Sequence, residues 1–321
     1  MPAPRIRLEA IEAAPVLIDP VFQGTPQFEC EPLGDALGAR VVLKVETLNP
    51  IRSFKGRGAE LFVARDAPPG QPLVCASAGN FGQAMAFACR SRGVPLIVFA
   101  SERANALKVE RMRALGADVR LAGDDFDGAK LVAKRFAAGA GLRMVEDALE
   151  PATAEGAGTM ALELLALDEP VDAVLVPLGN GAMLAGVATV LAAHWPDTRV
   201  VAVQALGAPA MVESMRSGRL VTHERVETIA DGIGVRIPIP EALDDLAGLV
   251  DETILVDDDL ILAAMRLVHQ HVGVVAEPSA VVGIAALLAA PERFARSRVA
   301  TMLCGGNLTP LQLRSWLGET G

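Results

Sequence analysis

The stretch NPIRSFKGRGAE, Asn49–Glu60, decides the reading of this chain. The β-branched run Val41–Val45 ahead of it reads as a short strand, and Phe54–Arg65 reads as a helix. Lys55 therefore stands just where the helix begins. A helix N-terminus carries partial positive charge, and this favours the neutral amine of a nearby lysine. A lysine near its ordinary pKa of ~10.4 is a poor nucleophile at neutral pH, so such a placement suits attack on a carbonyl. Position alone leaves a solvated first-turn lysine open as an explanation. The chain offers few other amines: its 29 basic residues include only Lys44, Lys55, Lys108, Lys130 and Lys134 as lysines.

Outward from this stretch, short β-branched runs alternate with amphipathic segments. Strands are expected at Leu73–Ala76, Pro95–Phe99, Val119–Ala122, Ala173–Val176, Val200–Val203 and Val299–Leu303. Helices are expected at Phe81–Arg92, Asn105–Leu115, Phe126–Ala138, Thr153–Leu167, Ala182–His194, Ala208–Ser217, Asp258–His271 and Ala280–Ala289. Such alternation indicates an α/β fold of mainly parallel twisted sheets flanked by helices. The segments Pro68–Leu73 and Glu150–Glu155 are the expected crossings between two lobes. The division is a large lobe of residues 1–70 plus 150–321 and a small, mobile lobe of 71–149.

Ligands in such folds gather in the loops at the carboxyl ends of the strands. Besides the lysine loop, three loops there are rich in small residues. ASAGNFGQ, Ala76–Gln83, leaves several backbone amides around Asn80 free to face an anion such as a carboxylate, though a tight turn capped by Asn80 explains it as well. VPLGNGAMLAG, Val176–Gly186, sets Gly179 and Gly181 before a helix, a plausible cradle for phosphate. It lacks both the dinucleotide spacing G-x-G-x-x-G and the G-K-[ST] of a nucleotide loop. MLCGGNLTP, Met302–Pro310, places Cys304 at a strand end, where an inert buried thiol is the commoner outcome.

Bulk properties narrow the function. A formal charge of −10 opposes binding to nucleic acid or an anionic membrane. Cys30, Cys75, Cys89 and Cys304 are scattered, without metal or disulfide spacing. His269 and His271 lie two apart on a helix and face apart, so no metal pair is expected. The N-terminus lacks a signal-peptide core, and no stretch is long enough to span a bilayer, so a cytoplasmic setting is expected.

Six strings in order, KVETLNPIRSFKGRGA, SAGNFGQ, PLGNGAMLAG, ADGIGV, AEPSAVVG and CGGN, run over most of the chain. Together they resemble the fold type II pyridoxal-phosphate enzymes, specifically the serine/threonine dehydratase and serine racemase group. The resemblance implies that Lys55 holds pyridoxal 5'-phosphate through its amine and later removes the substrate's α-proton. It implies that Phe54 packs on the cofactor ring and that Asn80 bonds its phenolic oxygen. Gly179, Asn180, Gly181, Ala182 and Met183 would cradle the phosphate, and the thiol of Cys304 would face the ring nitrogen. Ser77, Ala78, Asn80 and Gln83 belong to the loop that would receive the substrate.

A neutral thiol at the ring nitrogen makes a weaker electron sink than a carboxylate partner would, which favours β-elimination over long-lived carbanion chemistry. In this group the cofactor phosphate can protonate the departing hydroxyl. The expected reaction converts a small β-hydroxy amino acid, such as L-threonine or L-serine, to a 2-oxo acid and ammonia. β-Replacement, elimination from another side chain, racemisation and a non-catalytic binding role stand as alternatives. Ala78 occupies the position where related racemases carry a second catalytic serine, which opposes racemisation. Phe81 replaces a common histidine, and Asn180, Ala182 and Met183 depart from the usual run of glycines. Gln204 and Ala210 stand where relatives hold a divalent cation, so no metal is expected. The chain ends soon after CGGN, so no regulatory domain is expected. A homodimer is implied by the resemblance alone.

Overall fold

The computed structural model describes residues 4–318. Among them, ten strands divide between two sheets. The larger sheet joins β1 (Gln27–Glu29), β2 (Arg40–Val45), β7 (Ala173–Pro177), β8 (Arg199–Ala205), β9 (Glu252–Val256) and β10 (Arg298–Leu303) in the order β1-β2-β10-β7-β8-β9. All neighbours are parallel except β1 with β2. The smaller sheet, order β5-β4-β3-β6, is wholly parallel and comprises β3 (Leu73–Ala76), β4 (Leu96–Ala100), β5 (Asp118–Leu121) and β6 (Arg143–Val145). This is the α/β architecture expected of the sequence. The central strands are buried along their length because helices cover both faces, which is why β7 reads AVLVP without alternation.

Three strands escape the sequence pattern. β1 and β6 are only three residues long and carry too little β-branched content to register. β9 has strand composition, but acids flank it at Asp251–Glu252 and Asp257–Asp259. The Asp257 carboxylate caps the following helix, accepting the Leu260 amide at 2.9 Å. The helix expected at Ala280–Ala289 instead opens as a 3₁₀ turn at Pro278–Ala280 and continues over Val282–Ala289.

The main apolar core lies between the larger sheet and its helices. A second core lies beneath the smaller sheet, and Ala14, Ile18, Phe22, Ile51 and Phe62 from the N-terminal part of the chain share it. Three helices fix how the sheets are joined: Lys55–Arg65, Pro151–Leu164 and Ala182–His194. They cross at backbone distance through glycines. A Cβ on Gly186 would lie 2.0 Å from the Ala154 carbonyl oxygen, and one on Gly156 would lie 2.6 Å from that of Arg57. Close approach here sets the lysine loop against the Gly179–Gly181 turn.

Beneath that crossing sits a buried ionic cluster. Arg57, fully buried, donates to both carboxylate oxygens of Glu46 at 2.9 Å each, to Thr159 Oγ1 at 3.0 Å and to Glu163 Oε1 at 2.6 Å. Lys44, pointing into the same space from mid-strand, bonds the Thr25 carbonyl and pairs with Glu163. Burial opposes the charge on Glu163, yet the hydrogen bonds and charges of Arg57 and then Lys44 hold its carboxyl at about 2. Burial depresses Lys44, against the pull of Glu163.

Candidate active site

The lysine loop is shaped by Asn49. Its carboxamide oxygen accepts the amides of Ile51 and Ser53 at 3.2 Å each, and its nitrogen donates to the carbonyls of Glu46 and Ser53. An Asx-type turn of this kind replaces the backbone bonds a strand would have made. The loop is then tied to the end of β10. Phe54 N donates to the Cys304 carbonyl at 3.1 Å, Gly306 N donates to Arg52 O at 2.9 Å, and Ser53 bridges Gly305. Lys55 opens its helix directly after this tie, so Lys55 and Cys304 are set into one space.

That space is a cavity of about 1360 Å³ between the two sheets. Its lining includes Phe54, Lys55, Ser77, Ala78, Asn80, Gly179, Asn180, Gly181, Met183 and Cys304, ten of the residues singled out from sequence. Two others lie elsewhere. The Ala182 side chain is buried behind the turn, and its amide donates to Asn180 Oδ1 at 3.3 Å. Gln83 is buried beneath the loop and faces a separate cavity of about 270 Å³ with Arg111 and Asn307.

Lys55 does not stand as a bare amine at a helix end. Its Nζ pairs with Asp147, which follows β6, and lies 4.6 Å from the centre of the Phe54 ring. Asn180 Nδ2 also donates to the same Asp147 oxygen, at 2.7 Å. The other oxygen, Oδ1, is buried and has no hydrogen-bond partner among the described residues.

Asn80 is locked by two residues. Its Nδ2 donates to Glu277 Oε1 at 2.5 Å, and its Oδ1 accepts from Asn307 Nδ2 at 2.9 Å. Burial, then the charge of Asp231, pushes the Glu277 carboxyl up to about 7. Burial, then the charge of Glu277, pushes the Cys304 thiol up as well, so it stays neutral.

Two sets of backbone amides face the cavity. At the start of the helix Asn80–Ser91, Ser77 Oγ accepts the amides of Gly79 and Gly82, while those of Ala78, Asn80 and Phe81 donate to no protein acceptor among the described residues. At the start of the helix Ala182–His194, the amides of Gly179, Gly181 and Met183 are likewise free, with Gly181 at φ 100°. A left-handed residue at this point turns successive N–H groups toward one side, the arrangement that holds an oxyanion.

Asp147, Glu277, Asn307 and Ser279, a buried residue on the cavity whose Oγ has no partner among the described residues, were missed as site residues in the sequence. Glu277 and Asn307 lie inside the strings AEPSAVVG and CGGN, but a string does not show which way a side chain points. Asp147 follows the short strand β6, which carried no readable signal.

The residues fit a phosphorylated aldehyde cofactor: one lysine amine, a free-amide turn for its phosphate, and a neutral buried thiol on the same cavity. A family model described as pyridoxal-phosphate dependent enzyme matches residues 18–305. The L-threonine ammonia-lyase of Thermotoga maritima is 32% identical over 305 residues, which cover 94% of this chain and 76% of that one. The biosynthetic L-threonine dehydratase of Salmonella typhimurium is 33% identical over 305 residues, covering 94% of this chain and 59% of that one. This chain also matches 52% of the length of the corresponding Pasteurella multocida enzyme, so it spans little more than half of these two dehydratases. Among solved structures, maize serine racemase superposes with a TM-score of 0.89 at 28% identity, covering 97% of this chain and 96% of that one. The chain is thus a member of the pyridoxal-phosphate dependent enzyme family, and pyridoxal 5'-phosphate is its cofactor.

Proposed function

We propose that this protein eliminates the β-hydroxyl and amino groups of a small β-hydroxy amino acid, such as L-threonine or L-serine, releasing a 2-oxo acid and ammonia. One observation carries the reading: the Lys55 amine, two separate sets of free backbone amides and the neutral Cys304 thiol open on one cavity. The threonine ammonia-lyase and dehydratase relatives support it.

Lys55 would hold the cofactor, whose chemistry would be that of an electron sink for the substrate's α-carbon. The chain supplies the rest. The free amides of Gly179, Gly181 and Met183, at a helix N-terminus, would hold the phosphate, with Asn180 in the same turn. The loop from Ser77 to Phe81 holds the substrate carboxylate by the same means. Asn80 is held at a fixed angle between Glu277 and Asn307, so its position does not have to be reorganised during reaction. Lys55 exchanges the α-proton. Cys304 would present a neutral thiol to the cofactor, and Ala78 offers no acid or base, which opposes racemisation.

We place the moving part in residues 71–149. Two ion pairs, Lys108 with Asp231 at 3.1 Å and Arg236 with Asp127, join the small-sheet region to the segment between β8 and β9 and would have to part for it to move. No described helix is long and apolar enough to cross a membrane. We extend the reading to a cytoplasmic homodimer, which size-exclusion chromatography with light scattering tests for assembly.

The decisive assay offers a panel of β-hydroxy amino acids and measures 2-oxo acid and ammonia. Lys55→Ala is expected to lose the cofactor's visible absorption and to lower turnover by roughly 10⁴-fold. Full activity in that variant contradicts the assignment.

A further inference from the structure

Elimination as such calls on no carboxylate beside Lys55, yet Asp147 stands there. Asp147 reaches the cavity from the loop after β6, beside the lysine amine and the Gly179–Gly181 turn. A carboxylate offers about four acceptor positions and no donor. Here one oxygen takes both the Lys55 ammonium and the Asn180 amide, and the other, though buried, takes nothing. Once the lysine amine is engaged by the cofactor, the carboxylate keeps only Asn180. A part-buried carboxylate that has lost a donor is destabilised, so any bound substrate that brings a donor to it gains affinity.

We propose that Asp147, oriented by Asn180, is the specificity-determining residue for the substrate's β-substituent. This rests on the elimination reading and names what the site selects. The free amides of Ala78, Asn80 and Phe81 claim the substrate carboxylate, and the cofactor claims its amine, so the side chain is the remaining part of the substrate to face Asp147. A β-hydroxyl donates to Oδ2, in the place that the lysine amine leaves. A methyl group cannot, and a side-chain carboxylate is repelled. The site therefore selects a hydroxylated β-carbon over alanine and rejects aspartate. The Asn180 departure from an all-glycine turn acquires a reason: its side chain reaches out of the phosphate cradle to hold this acid.

The test reads binding rather than turnover. Holoenzyme is mixed rapidly with L-serine, L-alanine or L-aspartate, and the change in cofactor absorption gives each Kd before product accumulates. Wild type is expected to prefer serine to alanine by roughly ten- to a hundredfold, the range for one hydrogen bond to a charged acceptor. Asp147→Ala is expected to bring that preference close to one while alanine affinity changes less than about threefold. Asp147→Asn, which keeps volume and the chance of one hydrogen bond, is expected to fall between, and it serves if the alanine variant folds poorly. An unchanged serine preference in both variants overturns the proposal. So does an equal loss for serine and alanine, which would leave Asp147 as no more than a counter-ion for Lys55. A wild type that binds serine selectively yet releases no 2-oxo acid would sink the elimination reading while leaving this one intact.

Discussion

Two clusters of charge lie close together around the helix Lys55–Arg65, and they are built on opposite rules. Around Arg57 every guanidinium nitrogen has an acceptor, Lys44 has two, and both carboxylates are shared. Two residues earlier, Lys55 opens onto a cleft where Asp147 Oδ1 and Ser279 Oγ lack partners among the described residues and burial pushes the Glu277 carboxyl up to about 7. A satisfied buried network rigidifies, whereas an unsatisfied one keeps affinity in reserve for a ligand. The first cluster holds the floor on which the second works.

The contrast breaks most visibly in stability. Glu46→Ala leaves the fully buried Arg57 without its bidentate partner, so unfolding free energy should fall by about 3–5 kcal/mol in urea titration. A change below about 1 kcal/mol would mean that the cluster is not structural.

A smaller effect comes from the cleft and depends on pH. The Glu277 carboxyl titrates at about 7 in the folded chain against 4.5 as the ordinary value, so the folded state binds its proton more tightly. Its contribution is fully present below pH 4.5 and is lost as pH rises through 7. In the cofactor-free protein, wild type should lose roughly 3 kcal/mol more than Glu277→Gln across that window. Parallel stability curves for the two would remove Glu277 from this role.

The smallest effect is expected at Ser279. Its hydroxyl is buried and has no partner among the described residues, so Ser279→Ala should leave the apoprotein's unfolding free energy within about 0.5 kcal/mol of wild type, or raise it. A loss beyond about 1 kcal/mol would show that the hydroxyl has a structural partner.

Much of the frame could be read from residues alone. Strand signals in β2, β3, β7, β8 and β10 are strong because those strands are buried on both faces. Small-residue loops at their carboxyl ends marked the cavity, and Lys55 begins its helix as the pattern indicated. What could not be read was direction. Gln83 lies three residues past Asn80 on the same helix, yet it faces a different cavity, since packing beneath the loop decides its path. Ala182 likewise turns into the core behind the turn. Asp147 was illegible for another reason. Its strand is three residues long, and its partner lies 92 positions away at Lys55. Pairings of that kind exist only once the two sheets are assembled.

The central claim is that one particular amine among five holds the cofactor. Borohydride reduction of the cofactor-loaded protein, followed by peptide mass spectrometry, tests it directly. The pyridoxyl-phosphate label should fall on the peptide containing Lys55 and on no other lysine. Label at Lys44, Lys108, Lys130 or Lys134 instead, or none at all in protein that binds the cofactor, would contradict the account.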